Sequence, residues 1–170
     1  MTNSKPTIRT HIKSLTPKIA TLNSVNSHEL ITKQLLTHPA FLVAKTIATY
    51  HPLPDEVDIS HFNQAAVRLG KILAYPVCRG AGEMDMFTQK DKLVRSIDLI
   101  IIPCRAFDPT TLHRLGRGGG YYDRYLARTP HAVKIIVAYE LQKIPDLPTN
   151  SHDLPVDFII TESTTYHPPR

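Results

Sequence analysis

The run Ile97-Asp98-Leu99-Ile100-Ile101-Ile102, closed by Pro103, limits the architectures open to this chain. A strand with one wet face alternates apolar and polar residues. A nearly continuous apolar run is covered on both faces, as in the centre of a parallel sheet. Parallel neighbours need crossover connections, which are usually helices. The remaining sequence supplies both kinds of element. Val43–Tyr50, Lys71–Tyr75, Val133–Tyr139 and Val156–Thr161 read as further strands, with Pro52, Pro54 and Pro76 as stops. Residues 18–38 read as one helix, weakened at Asn23, Asn26 and Ser27, with Leu30, Ile31, Leu35 and Leu36 as its core stripe. Ser60–Leu69 reads as a second helix, capped by Ser60 and ended by Gly70. Residues 77–95 are polar and irregular, with a short strand at Met84–Phe87. The expectation is an α/β three-layer sandwich with a mostly parallel sheet and helices on both faces. It forms a single domain over residues 1–170, since neither a repeat nor a linker divides the chain.

The 170 residues suffice for one core, and a hydrophobic share of 42% excludes a disordered chain. Twenty Lys and Arg against fifteen Asp and Glu leave a formal charge of +5, which suits an anionic ligand. Nucleic acid is not an expected partner, because long basic runs and aromatic–basic interleaving are both missing. The longest apolar runs, Ala40–Ala44 and Ile135–Tyr139, are too short to span a membrane. The polar, basic N-terminus is not a secretory signal. Cys78 and Cys104 form no C-x-x-C pair, which fits a reducing cytoplasm. The nine histidines show no close ligand spacing and read as surface or satisfied residues, not as a metal site.

The stretch Arg114 to Arg124 carries the chemistry. Gly116, Gly118, Gly119 and Gly120 are four of the seven glycines in the chain. Without side chains, their N–H groups can converge on a phosphate. Arg114, Arg117 and Arg124 add planar donor forks. Tyr121–Arg128 reads as a helix whose positive end would face the same anion. A Gly-Lys-Ser/Thr ending is missing, so this is not a Walker A loop, and the spacing is not that of a dinucleotide fingerprint. Lys5, Arg9 and Lys13 share one face of a helix in the basic arm over residues 1–17, either as a solvated face or as an arm reaching the phosphates.

The segment Arg114-Leu115-Gly116-Arg117-Gly118-Gly119-Gly120-Tyr121-Tyr122-Asp123-Arg124 resembles the signature of the 5-formyltetrahydrofolate cyclo-ligase family. The likeness extends to Glu56 and Gly70-Lys71 within residues 46–77, to Ile97–Pro103 with Ala106-Phe107-Asp108, to Ala138-Tyr139-Glu140, to His152-Asp153 and to Ile160-Thr161-Glu162. The resemblance implies an ATP-dependent, cytoplasmic, monomeric enzyme that converts 5-formyltetrahydrofolate, a reduced folate, to 5,10-methenyltetrahydrofolate through a phosphorylated formyl group. It implies that Lys5, Arg9, Arg114, Gly116, Arg117, Gly118, Gly119, Gly120, Tyr121 and Arg124 serve ATP. Glu56, Phe107 and Tyr122 would serve the folate, and Arg117, Tyr122 and Asp123 the chemistry. Asp123 and Asp153 would hold magnesium, although Asp123 has the alternative of capping its helix or pairing with an arginine. Three departures stand out. The family's G-I-x-E-P segment is missing between residues 78 and 96. Thr111-Leu112-His113 replaces a glycine-containing turn, and Pro52 and Ile59 replace Ser and Thr. The first of these motivates an alternative, a catalytically weak or inactive relative that binds nucleotide or folate. It also leads to the expectation of a more open folate side that binds its ligand weakly while ATP binds in the usual way.

Overall fold

The computed structural model describes residues 4–24 and 27–169. Residues 1–3 of the basic arm, and Asn26 in the expected long helix, lie outside them. In chain order the elements are α1 (Lys5–Ser14), α2 (Thr16–Ser24), α3 (His28–Thr37), α4 (Pro39–Val43), β1 (Thr46–Ala48), α5 (Ser60–Arg68), β2 (Ile72–Cys78), β3 (Met84–Phe87), β4 (Leu93–Val94), β5 (Leu99–Pro103), β6 (Ala106–Phe107), β7 (Arg114–Leu115), α6 (Tyr121–Arg128), β8 (Val133–Val137), β9 (Phe158–Ile160) and β10 (Thr165–Tyr166).

Eight strands form one sheet in the order β10-β9-β8-β5-β1-β2-β3-β4. The five central strands are parallel, with Leu99 opposite Val133 and Ile47 opposite Leu99. Both flanks are antiparallel: β3 and β4 at one, β10 at the other. The apolar run behaves as its composition requires, since Leu99, Ile100, Ile101 and Ile102 are all fully buried. Leu99 and Ile101 pack with Ile135 and Val137 under α2 to α5. Ile100, Ile102 and Ile136 pack on the other face with Tyr125 and Leu126 of α6. Helices thus cover both faces, unequally. Helix α1 sits apart from both layers, with Ile8 and Ile12 against Ala106, Leu115 and Leu147.

Several expected boundaries differ. The helix expected over 18–38 is two helices, and Leu30 is 54% exposed, so the core stripe is Ile31 and Leu35. Val43 closes the short helix α4, and β1 does not begin until Thr46. Lys71 donates to the carbonyls of Leu42 (3.0 Å) and Ala44 (2.6 Å), satisfying acceptors that a helix end leaves bare. Pro76 does not stop its strand. It lies in β2 opposite Met86, where the strand has left the parallel core and pairs with β3. Ser60 is the first residue of α5, not its cap, and its N–H donates to Asp58 Oδ1 at 2.8 Å.

The turn before β7 is built on Asp108. Its carboxylate accepts from the N–H groups of Thr110 (2.8 Å), Thr111 (3.1 Å) and Leu147 (3.2 Å). Leu112, in the replaced turn, takes φ +57°, the left-handed region that glycine enters at no cost. Burial alone would raise the Asp108 carboxyl, but the donated bonds outweigh it and hold it below its usual value. The charged form is therefore preferred more strongly in the folded chain than in the unfolded one. That stabilisation is fully present above the unfolded value near 3.8 and lost as pH falls through the lower folded value. Asp108→Ala is expected to lower unfolding free energy at pH 7 by about 2 kcal/mol, and by less at pH 3. Urea melts at both pH values check this; an equal loss at both would mean the charge is not what matters.

Candidate active site

One cavity of about 680 Å³ opens at the carboxyl ends of β1, β2 and β5. The chain passes to opposite sides of β1 when it forms β2 and then β5, so this is a point where strand order reverses. Open α/β sheets bind ligands at such points. One wall is the segment Leu115 to Asp123. Gly118 (φ +106°) and Gly120 (φ +67°) take left-handed conformations, and Gly120 leads directly into α6. Gly119 is required for a different reason: a Cβ there would lie 2.5 Å from the Tyr121 ring. The loop is closed against α1, whose Arg9 donates through Nε to the Gly116 carbonyl at 3.1 Å. Lys5, one turn earlier, pairs with Asp153. Both basic side chains reach the cavity; Lys13 points to solvent.

The opposite wall is acidic and aromatic. Glu56 is 9% exposed and lies in the loop between β1 and α5. Its Oε2 accepts from the Leu53 N–H at 3.0 Å, and its Oε1 from Arg117 Nε and Nη2, both at 3.4 Å. Arg117 also bonds Asp55, whose other oxygen pairs with Arg105 at 2.8 Å. Tyr50, His51 and Tyr122 add rings to the wall. Burial and the Glu56 charge push the Tyr122 hydroxyl well up, so it is a neutral donor at any ordinary pH. Cys104, also in the wall, is pushed up to about 12 by burial and is no nucleophile.

Residues 85–162 match the model of the 5-formyltetrahydrofolate cyclo-ligase family. The 5-formyltetrahydrofolate cyclo-ligase of Mycoplasma pneumoniae is 31% identical over 166 residues, covering 93% of this chain and 98% of that protein. The chain belongs to the 5-formyltetrahydrofolate cyclo-ligase family. The cyclo-ligase of Mus musculus is 25% identical over 95% of each chain. Among solved structures, a 5,10-methenyltetrahydrofolate synthetase from Mycoplasma pneumoniae superposes with a TM-score of 0.80 at 30% identity, covering 94% of this chain and 99% of that one. A 5,10-methenyltetrahydrofolate synthetase from Aquifex aeolicus gives 0.80 at 28% identity, covering 96% and 92%. The α/β sheet with mostly parallel strands is thus the fold of these cyclo-ligase relatives.

Within this family fold, Lys5, Arg9, Glu56, Arg114, Gly116, Arg117, Gly118, Gly119, Gly120, Tyr121, Tyr122, Asp123 and Asp153 all border the one cavity. Two of the expected residues do not. Phe107 is fully buried in β6, tilted against Tyr166 with ring centroids 5.6 Å apart, so no face is left for a ligand. Arg124 lies outside the lining and donates to the Gly119 carbonyl at 3.1 Å, bracing the loop from behind. Its guanidinium passes over Gly82, where a Cβ would lie only 1.6 Å from Nη1. Asp123 takes its alternative: Oδ1 accepts from the buried Arg114 at 2.8 Å.

Sequence reading did not single out Arg105, His51 or Met84 at the cavity, nor Asp55, which pairs with Arg105 and Arg117 beside it. Asp55 is adjacent to Glu56, and Arg105 follows a strand end, which were usable signals. Met84–Phe87 is the short strand expected there, β3. What the polar, irregular reading of residues 77–95 did not show is that β3 pairs with β2 as a hairpin and supplies cavity wall. The Mycoplasma pneumoniae protein, 98% covered by 166 aligned residues, is no longer than this chain.

Proposed function

We propose that this protein uses ATP to close the ring of 5-formyltetrahydrofolate, giving 5,10-methenyltetrahydrofolate. The observation that carries the reading is the single cavity joining a cationic glycine loop to a buried carboxylate flanked by aromatic rings. ATP lies on the loop, with its phosphates toward the glycine N–H groups, Lys5, Arg9 and Arg117. The pterin lies toward Glu56, which accepts from its N–H groups, against Tyr122. The formyl oxygen takes the terminal phosphoryl group and ADP leaves. The second folate nitrogen then attacks the formyl carbon, and the carbon–oxygen bond breaks to release phosphate together with the nitrogen's proton. Little acid–base chemistry is asked of the protein, which must hold charge and align the reactants.

Asp123 and Asp153 both border the cavity beside the loop, and each has one oxygen that bonds no basic side chain closer than the weak His152 contact at 3.9 Å. One or two carboxylates plus phosphate oxygens is the donor set that magnesium prefers, so these residues fit it. Bound there, magnesium would neutralise phosphate charge. Asp123 and Asp153 would hold the ion through their free oxygens, and Lys5, beside Asp153, would face the phosphates. A monomeric working unit and cytoplasmic residence belong to the same reading; among the described residues no helix is long and apolar enough to cross a membrane.

Purified protein with ATP, magnesium and 5-formyltetrahydrofolate should accumulate the absorbing methenyl product, dependent on all three. No product from folded, nucleotide-binding protein would favour a binding protein without turnover. The two arginines separate the roles on the loop. Arg117→Ala should weaken ATP about 10- to 100-fold, the worth of one charge-assisted contact. Arg124→Ala should cost less in affinity and show chiefly as a lower melting temperature. Equal ATP loss in the two variants would contradict this assignment.

A further inference from the structure

Away from the cavity, the described residues hold one group of three metal-ligating side chains. His28 and Glu29 open α3, and His61 is the second residue of α5. Their donor atoms lie within 4.8 Å of one another. His28 Nε2 is 3.6 Å from Glu29 Oε1, and His61 Nδ1 bonds the same oxygen. The two imidazoles meet edge to face, with centroids 5.7 Å apart. Donor atoms on a tetrahedral zinc sit roughly 3.3 Å apart, given bonds of about 2.0 Å, so this spacing needs only small side-chain shifts. Asp58 is close enough to act on both rings. Burial raises its carboxyl, but bonds from Ser60 and the charges of His28 and His61 bring it below its usual value.

An ordinary ion pair explains Glu29 and His61, and leaves His28 unexplained. That ring is only 5% exposed; its Nε2 faces Glu29 Oε1 at 3.6 Å, too far for a hydrogen bond, and its Nδ1 has no hydrogen-bond partner among the described residues. A buried imidazole with neither nitrogen bonded costs free energy that packing alone does not return. We propose that His28, Glu29 and His61 bind a divalent transition metal of the zinc type, clasping α3 to α5. Two imidazoles and a carboxylate suit zinc, cobalt or nickel and are poor ligands for magnesium or calcium. Water takes the fourth position. The sequence could not show this site, because His61 lies 32 residues from Glu29 and only the packing of the two helices joins them. None of the three residues borders the cavity, so the clasp acts on stability and not on turnover.

The test uses the whole chain, stripped of metal and titrated with cobalt(II), whose visible bands report four-coordinate ligation, and then with zinc. One equivalent should bind, and zinc should raise the melting temperature where magnesium does not. His61→Ala, at an exposed position, and Glu29→Gln, at a half-buried one, should keep the metal-free melting temperature and the cyclisation activity. Each should weaken cobalt at least as much as the about 10- to 100-fold that losing a ligand's supporting partner costs. A wild-type protein that shows no cobalt bands overturns the proposal. So does an unchanged cobalt spectrum in His61→Ala, which would move the metal elsewhere, the exposed Cys78 being the obvious place.

Discussion

A Gly119→Val protein should fold and fail to hold ATP, with affinity down at least about 100-fold, or about 3 kcal/mol. The reason is space and not backbone strain. Gly119 is flanked by two left-handed glycines, yet it is not itself among the positive-φ residues. A Cβ there meets Tyr121 Cε2 at 2.5 Å and Cδ2 at 2.6 Å. Valine adds two methyl groups beyond that point. Either Tyr121 swings into the cavity it borders, or the loop moves and its N–H groups no longer converge. Both outcomes remove the phosphate site, while the sheet core lies on other residues. Calorimetric ATP titration beside circular dichroism would decide it: parental ATP affinity in a folded variant sinks the loop assignment.

What could be read from the sequence was what short-range chemistry decides. Three glycines followed by a polar helix fix a loop and α6, which begins and ends at the expected residues, Tyr121 and Arg128. The apolar run fixed β5 as a covered strand because few other environments tolerate it. Errors arose where a residue's neighbours come from elsewhere in the chain. Pro76 is an acceptable strand residue because β2 has by then left the parallel core, which local sequence does not record. Leu30 fits a helical stripe and is exposed, since packing against α5 rotates the buried face of α3 toward Ile31 and Leu35. Arg117 and Arg124 are chemically alike and seven residues apart in sequence. Only the fold points one into the cavity and the other at the back of the loop. Phe107 sits in a family-like block for packing, not for ligand binding. The pairing of Arg117 with Asp55 and Glu56, about sixty residues away in sequence, was invisible to spacing.

That pairing yields the second large effect, a coupling between the two ligands. Glu56 is buried, and Arg117 is the only basic side chain that bonds it among the described residues. Arg117 is the loop arginine that faces the phosphates in the proposed complex. When ATP draws it away, Glu56 is left with the Leu53 N–H and a buried, unbalanced charge. The N–H groups of a pterin relieve that charge. Nucleotide should therefore tighten folate, by about 5- to 150-fold for couplings of ordinary size, and folate should tighten nucleotide by the same factor. Glu56→Gln keeps the shape and removes the charge. Folate affinity should fall about 10- to 100-fold, as for a hydrogen bond to a charged group. ATP affinity should hold or rise, because Arg117 is released from its resting partner, and the coupling should shrink toward nothing. Folate titrations with and without a non-hydrolysable ATP analogue measure all of this. Equal folate affinity in the two titrations of the parent protein would refute the exchange of partners. A fall in ATP affinity in Glu56→Gln would instead place Glu56 with the nucleotide and its metal.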